Sequence, residues 1–559
     1  MQIASARGLV RLPLAGVAFL ALADTAVVAL ALPPILRELD TDVAGVAAVL
    51  GVYAVVLGVA LLPAERLGRV LGIRALGLAG VALFAVGSLV CGLADAIEPL
   101  LAARAVQALG GAALLVTAHA VLVGDRGTAA EIALWRFAAL LGTAAGPALG
   151  GALTQAFGWR SIFVVQAPVA LAAVPGCIGA GRSRVRLRRR PRQVSTADVL
   201  RFAALALVSG AIAATLFLTV LLLVSGWGIE PLAAALVVSV MPVSALAAAR
   251  LRVPAGTRAV AGALLVAAGA AALAFLPTAS IAWTILPQLA VGVGMGFALS
   301  ALGGELLPDR DGHESARLLT VRHLGIAVSL LILAPIAQHE LDTTLQDTRL
   351  RGAALILDAR IDPRLKFDLA PRLSTSIETE DPRGGLERVF ADARDDDVDA
   401  DQLAGYDELA DRADDLVVTS VNDGFRTAFL VAAALALLAV ALLALAAPVA
   451  AGAPEIGVVA MSCVAGVLVF GLLAQSARPE PVEIADPCKN RQLPSTGGIT
   501  GIAQDAALLA ADAVACEVGS SREELVLALA DDDAARDYEQ RYGVNPRSAI
   551  DIARRLLPG

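Results

Sequence analysis

Thirteen stretches of this chain are each long and apolar enough to cross a lipid bilayer as a helix, and no other feature limits the fold as strongly. A helix needs about 20 apolar residues to span roughly 30 Å of hydrocarbon at about 1.5 Å per residue. The stretches are 12–36, 43–62, 74–94, 98–122, 132–156, 161–180, 199–225, 231–250, 259–277, 281–306, 318–338, 425–448 and 455–474. The first runs past Asp24 to Pro33, longer than the apolar core of a cleaved signal peptide, and is read as a membrane helix. Composition agrees: 57% of the 559 residues are hydrophobic and only 17% are charged, against about a quarter charged in soluble domains. An ordinary soluble protein and a disordered chain are both excluded. The expected fold class is an all-α polytopic membrane protein.

The net charge of -8 hides a division. Residues 339–424 hold 22 acids and 10 bases, residues 475–559 hold 14 and 9, and the remainder carries +9. Arginines gather in alternate connections, at 63–73, 123–131, 181–198, 251–258 and 307–317. The segment Gly181–Gln193 has seven of them and no acid. The positive-inside rule then places the N-terminus in the cytoplasm and both acidic segments outside. A basic run can also bind nucleic acid, but one lying between two membrane helices is read as a cytoplasmic linker. The acidic segments are expected to be small helical units. Ser521 and Glu524 have capping-box spacing, and Asn545 with Pro546 has the pattern of a helix start. Cys91, Cys177 and Cys463 fall inside apolar runs. Cys488 and Cys516 form the one pair in the tail, either bridged in an oxidising compartment or two unrelated thiols.

Polar residues inside apolar helices are expensive and mark partners or cavities. Asp24 and Arg104 are the main ones, and they either pair across the bundle or bind backbone and interface groups separately. Gly142, Gly146 and Gly150 recur every four residues, so one helix face admits a neighbouring backbone, while Pro147 removes a hydrogen bond and favours a kink. Glu65, Arg66, Gly68 and Arg69 lie in a turn after the second helix, with Asp125 a candidate partner for Arg69. Gln107 and Gln288 are candidate cavity groups, Gln288 because helices seven to ten offer no acid except Glu305 at their edge. Four histidines, no HExxH, no phosphate loop and no metal-spaced Cys/His cluster argue against an enzyme and against any cofactor or metal. "GIRA" at Gly72 and "GTRA" at Gly256 precede equivalent helices, which points to two related halves.

These residues resemble the major facilitator superfamily, and within it the drug:proton antiporter branch. The resemblance is carried by Asp24 to Pro33 (Ala29 replacing the usual Asn), Glu65 to Arg69 (Glu65 for the usual Asp, and Leu61 for the usual Gly), and Arg104, Gln107 and Gly110. It is carried further by Gly142 to Gly151, which match the antiporter motif completely, by "GWRSIFVVQAP" with Ser161 and Gln166 substituted, and by Gly226 to Pro242. It covers about residues 10–338 and 425–448.

The resemblance implies two six-helix bundles rocking about a midplane cavity, plus an added thirteenth helix and tail. The expected divisions are a bundle at 1–180, a basic linker at 181–198, five helices at 199–338, an outer loop at 339–424, a twelfth helix at 425–448, an extra helix at 455–474 and an outer tail at 475–559. The expected function is proton-coupled export of small amphipathic or hydrophobic compounds across the plasma membrane by a monomer, with protons and the lipid bilayer as its other partners. Asp24 and Arg104 would carry the coupling, Glu65, Arg66, Gly68, Arg69 and Asp125 the cytoplasmic gate, and Gly142, Gly146, Pro147, Gly150 and Gly151 the antiporter motif. The alternatives are export of a lipid or cell-envelope precursor, and a membrane sensor or assembly factor that does not transport.

Overall fold

The computed structural model describes residues 2–123, 129–180, 194–307, 312–377, 381–397, 403–446, 453–489, 493, 498–530 and 532–548. Every element among them is helical. In hydrocarbon a helix satisfies its backbone N–H and C=O groups within itself, so apolar runs of this length have little alternative. Twelve helical segments among the described residues are long and apolar enough to cross a membrane. Ala129–Phe157, 29 residues long, runs beside them.

The first half comprises α1 (Gln2–Ala29), α2 (Leu32–Glu38), α3 (Val43–Leu71), α4 (Ile73–Gly92), α5 (Ile97–Leu122), α6 (Ala129–Phe157), α7 (Arg160–Leu171) and α8 (Val174–Gly179). The second comprises α9 (Thr196–Leu221), α10 (Pro231–Val238), α11 (Val240–Ala248), α12 (Ala255–Leu273), α13 (Ile281–Ser300) and α14 (Gly312–Asp358). The acidic segment adds α15 (Pro363–Ser376) and α16 (Pro382–Asp397) before α17 (Leu403–Ala446) returns to the bundle. Then come α18 (Ala453–Ala477) and, in the tail, α19 (Gly498–Val518), α20 (Arg522–Ala530) and α21 (Asp532–Tyr542). The second half starts at a capping box: Asp198 N donates to Ser195 Oγ at 3.1 Å and Ser195 N to Asp198 Oδ2 at 3.2 Å. The halves meet along α3 against α14 and along α6 against α10. We call the side where α8 ends and α9 begins the linker face, and the opposite side, where α14 and α17 leave the bundle, the tail face.

The structure departs from the sequence expectation in several places, among them the expected single spans 161–180 and 231–250, each of which is two helices. The run 12–36 is two helices, because Pro33 and Pro34 carry no N–H and disfavour helical geometry in the residues before them, so α2 starts anew. The turn expected at Glu65–Arg69 is helix instead, since α3 continues to Leu71 and Arg69 pairs with Glu65 one turn earlier. Most consequentially, the acidic segment 339–424 is not a separate unit. α14 runs unbroken for 47 residues and α17 for 44, so both membrane helices project from the tail face.

One apolar core passes from the bundle into this projection, through Leu333, Leu341, Ile356, Leu369, Phe390, Tyr406 and Phe425. Arg383 on α16 fastens it to the mouth of the second half, with Nε and Nη2 donating to Asp414 at 2.6 and 2.9 Å and Nη1 to Trp227 O at 3.1 Å. The tail has its own small core of Val514, Leu525, Ala528 and Tyr538. The capping box at Ser521 and Glu524 is formed, and Cys488 and Cys516 are joined by a disulfide with Cα atoms 5.0 Å apart. Arg522 ties α20 to Asp358 at the end of α14, 2.7 Å away. The helix expected after Asn545 is described only as a short 3-10 turn at Pro546–Ser548, and its remainder lies outside the described residues. α18 stands at the margin of the bundle, where only 6% of its apolar stretch is buried, so nearly all of it lies outside the packed core. It packs along α12 and sets Phe470 on Trp283, and Arg478, just past its end, pairs with Asp423.

Candidate functional site

Asp24 and Arg104 pair, and both are wholly inaccessible. The guanidinium is bidentate, with Nη1 to Oδ1 at 3.0 Å and Nη2 to Oδ2 at 2.6 Å. Its Nε donates to Val49 O at 3.2 Å and Nη1 also donates to Gln107 Oε1 at 2.6 Å. The Tyr53 ring lies under it, 4.3 Å from the guanidinium carbon, a cation–π arrangement. Gln107 Nε2 donates to Ser88 Oγ at 2.8 Å and Gln166 Oε1 at 2.7 Å, while Gln166 Nε2 reaches Asp24 Oδ1 at 3.4 Å. The result is a closed ring of polar groups from α1, α5 and α7, braced by α3 and α4. Such a pair is worth keeping only when its other donors find partners, and here every guanidinium nitrogen has at least one.

The ring depends on close helix approach. A Cβ on Gly87 would lie 2.6 Å from Gln107 N, so a glycine on α4 is what brings Ser88 within reach of Gln107. On α6 the glycine stripe does the same for α1. Cβ atoms at Gly142 and Gly146 would lie 2.8 Å from Phe19 O and 2.9 Å from Ala26 Cβ, and one at Gly150 would press on Val27 O. Gly151 faces the other half instead, against Ala235 and Pro231 of α10. Pro147 lies inside α6, which runs through it as one helix. The motif therefore sits at two interfaces, one within the first half and one between the halves.

Near the linker face, Glu65 is buried and ion-paired to Arg69, Gly68 is buried and Arg66 is exposed. Asp125 lies outside the described residues. Arg258 and Glu305 form a comparable ion pair in the second half, with Arg258 Nη1 also donating to Ser300 Oγ at 3.1 Å.

Between the halves lies a partly open cavity. Thr25 and Ala26 of α1, Pro147 of α6, Ser209 and Leu216 of α9, Met241 of α11, Met295 of α13, and Arg322, His323 and Ile326 of α14 contribute to its wall. The two glutamines expected to line it do not. Gln107 is locked in the polar ring, and Gln288 is buried near the tail face with Nε2 on Thr284 Oγ1 at 3.0 Å. Packing turns Gln107 to partners on α4 and α7, whereas Gln288 bonds one turn back along its own helix. In their place stand Arg322 and His323, which the sequence reading passed over, as it did Ser88 and Tyr53. Gln166 was visible only as a departure from the family pattern. His323 Nδ1 lies 2.8 Å from Leu319 O, a carbonyl that can only accept, so this nitrogen carries the proton and Nε2 is the free one.

Comparison with known proteins agrees with this architecture. Over 155 residues the chain is 39% identical to the Multidrug resistance protein Stp of Mycobacterium tuberculosis, covering 27% of this chain and 29% of that one. It is 34% identical over 219 residues to the Tetracenomycin C resistance and export protein of Streptomyces glaucescens, covering 38% and 39%. The aligned part thus spans well under half the length of these relatives. The crystal structure of a bacterial homolog to the human lysosomal transporter Spinster superposes over 79% of this chain and 98% of its own, with a TM-score of 0.51 at 18% identity, a likeness of fold alone. Residues 14–330 match the sequence profile of the Major Facilitator Superfamily, and with that match covering more than half of its length, the chain belongs to this superfamily.

Proposed function

We propose that this protein is a secondary active exporter that expels small amphipathic or hydrophobic compounds across the plasma membrane in exchange for protons. The observation that carries this reading is the double use of α1. Thr25 and Ala26 line the cavity, while Asp24, the preceding residue, holds Arg104 inside the first half. Protonating Asp24 would neutralise the carboxylate and loosen the guanidinium, and α1 would carry the change to the cavity wall and, across the glycine stripe, to α6. A gradient of one pH unit plus 100 mV supplies about 3.7 kcal/mol per proton, enough to sustain roughly a 500-fold substrate gradient. The multidrug-resistance and export roles named for the relatives support the same class of cargo. The linker face is cytoplasmic and the tail face extracytoplasmic in this reading, with the protein acting as a monomer.

Transport by purified protein in liposomes tests it. Asp24→Asn keeps the shape of the side chain and fixes the neutral form, so it should abolish gradient-driven export while retaining substrate binding. Well-folded Asp24→Asn protein with undiminished dependence on the proton gradient would remove Asp24 from the coupling. For orientation, single cysteines at Ser183, Ser376 and Ser495 should react with an impermeant reagent in intact cells at the last two only, and labelling at Ser183 would invert the assignment.

A further inference from the structure

Among the described residues of the cavity wall, Arg322 is the one that carries a fixed charge. Its Nε is buried without a hydrogen-bond partner, and no carboxylate among the described residues forms an ion pair with it. The nearest acid in sequence to the opposite wall, Asp24, is wholly inaccessible and chelated by Arg104, so it does not neutralise this charge. An unpaired cation inside an apolar bundle is strongly unfavourable unless something supplies the opposite charge. Around it the wall offers hydroxyls at Thr25 and Ser209, whose Oγ also lacks a partner, and otherwise apolar surface, including the adaptable thioethers of Met241 and Met295.

We propose that the cavity is built for amphiphilic anions, with Arg322 binding the substrate's carboxylate, sulfonate or phosphate and the apolar wall holding its hydrophobic body. This rests on the transport reading for its use but not for its existence, since the site is defined by binding. A guanidinium fork matches a two-oxygen anion bidentately. Ser209 and Thr25 bring hydroxyl groups to the same wall, and His323, its Nδ1 committed to Leu319 O, has only Nε2 uncommitted. Exchange of a monoanion moving out for a proton moving in would transfer two charges in the same electrical sense. Export would therefore respond to the membrane potential as well as to the pH gradient.

The test uses full-length protein in uncharged detergent and three probes of one shape: 9-anthracenecarboxylate, 9-anthracenemethanol and 9-(aminomethyl)anthracene. Binding is read as the ligand-induced rise in unfolding temperature, which needs no transport. The carboxylate should bind wild-type protein at least about tenfold more tightly than the alcohol, and the amine least. Arg322→Gln should lose that preference, while Arg322→Lys should retain part of it. Competition by phosphatidylglycerol separates a lipid headgroup from a free amphiphile as the natural source of the anion. Equal binding of the three probes by wild-type protein overturns the proposal even if Arg322→Gln does not fold, and so does an unchanged carboxylate preference in folded Arg322→Gln protein. A carboxylate preference without gradient-driven flux would instead leave the anion site standing and sink the transport reading.

Discussion

Arg104 in the first half and Arg322 in the second are both cations inside apolar bundles, yet their surroundings are opposite. Arg104 is enclosed by a chelating carboxylate, a glutamine, a backbone carbonyl and a tyrosine ring. Arg322 faces a cavity and has no acid partner. The contrast separates two uses of buried charge. A paired cation, bonded through every nitrogen, fixes the packing of five helices. An unpaired cation at a cavity wall keeps its charge open to that cavity, the basis of the anion site proposed above.

The largest effect that could break this comparison is on stability. Arg104→Met leaves Asp24 buried and uncompensated, and should lower unfolding free energy by about 3–5 kcal/mol. Arg322→Met removes a charge that has no partner to strand, so it should leave the unfolding temperature unchanged or raise it. Calorimetry or a fluorescence melt of the two variants decides, and equal destabilisation would dissolve the distinction. Combining Asp24→Asn with Arg104→Met should recover part of the loss, because neighbours in one network are not additive.

A smaller effect sharpens the account of how the ring is held together. Gly87→Ala drives a Cβ into Gln107 N and should be destabilising by about 1–3 kcal/mol. Gly51→Ala, where no atom lies within 4 Å of the added carbon, should stabilise its helix by up to about 1 kcal/mol. The paired melts test whether close helix approach, rather than glycine content in general, supports the polar ring.

A third buried cation, outside the bundle, extends the comparison. Lys366 on α15 is 1% exposed, with Nζ donating to Leu357 O at 3.1 Å. Burial pushes its amine down to about 8, only partly opposed by Asp358. The unfolded chain therefore binds more protons than the folded one between about pH 8 and the ordinary lysine value near 10.4, and stability should rise with pH across that window. Thermal unfolding from pH 7 to 10.5 should show that rise, and Lys366→Met should flatten it. An identical pH profile in the variant would show that the amine is not held as the structure places it.

The sequence made the Asp24–Arg104 pair a real possibility because an acid and a base inside neighbouring apolar helices each need a partner. Gln166 and Ser88 carry too little individual signal, since a neutral polar side chain in a membrane helix also satisfies itself on its own backbone. Gln288 was misplaced for the same reason: its depth along the helix was readable, but the face it occupies was not. Arg322 lies within the apolar run 318–338 and went unremarked, because nothing in linear order shows that its face of α14 borders a cavity. The length of α14 and α17 was hidden differently, since a membrane helix that continues into an acidic segment loses its hydropathy signal at the interface while its backbone geometry continues.

By itself, then, the sequence determined that this chain spans a membrane many times as helices, and which helices carry charge. Insertion into hydrocarbon depends on apolar content summed along each segment, a local property. Packing in three dimensions closes off Arg104 and leaves Arg322 open, turns Gln107 to its bonding partners rather than to the cavity, and joins bundle and projection through one apolar core. Those outcomes depend on the rotation of each helix about its axis, which close packing between glycine faces fixes and no single segment encodes.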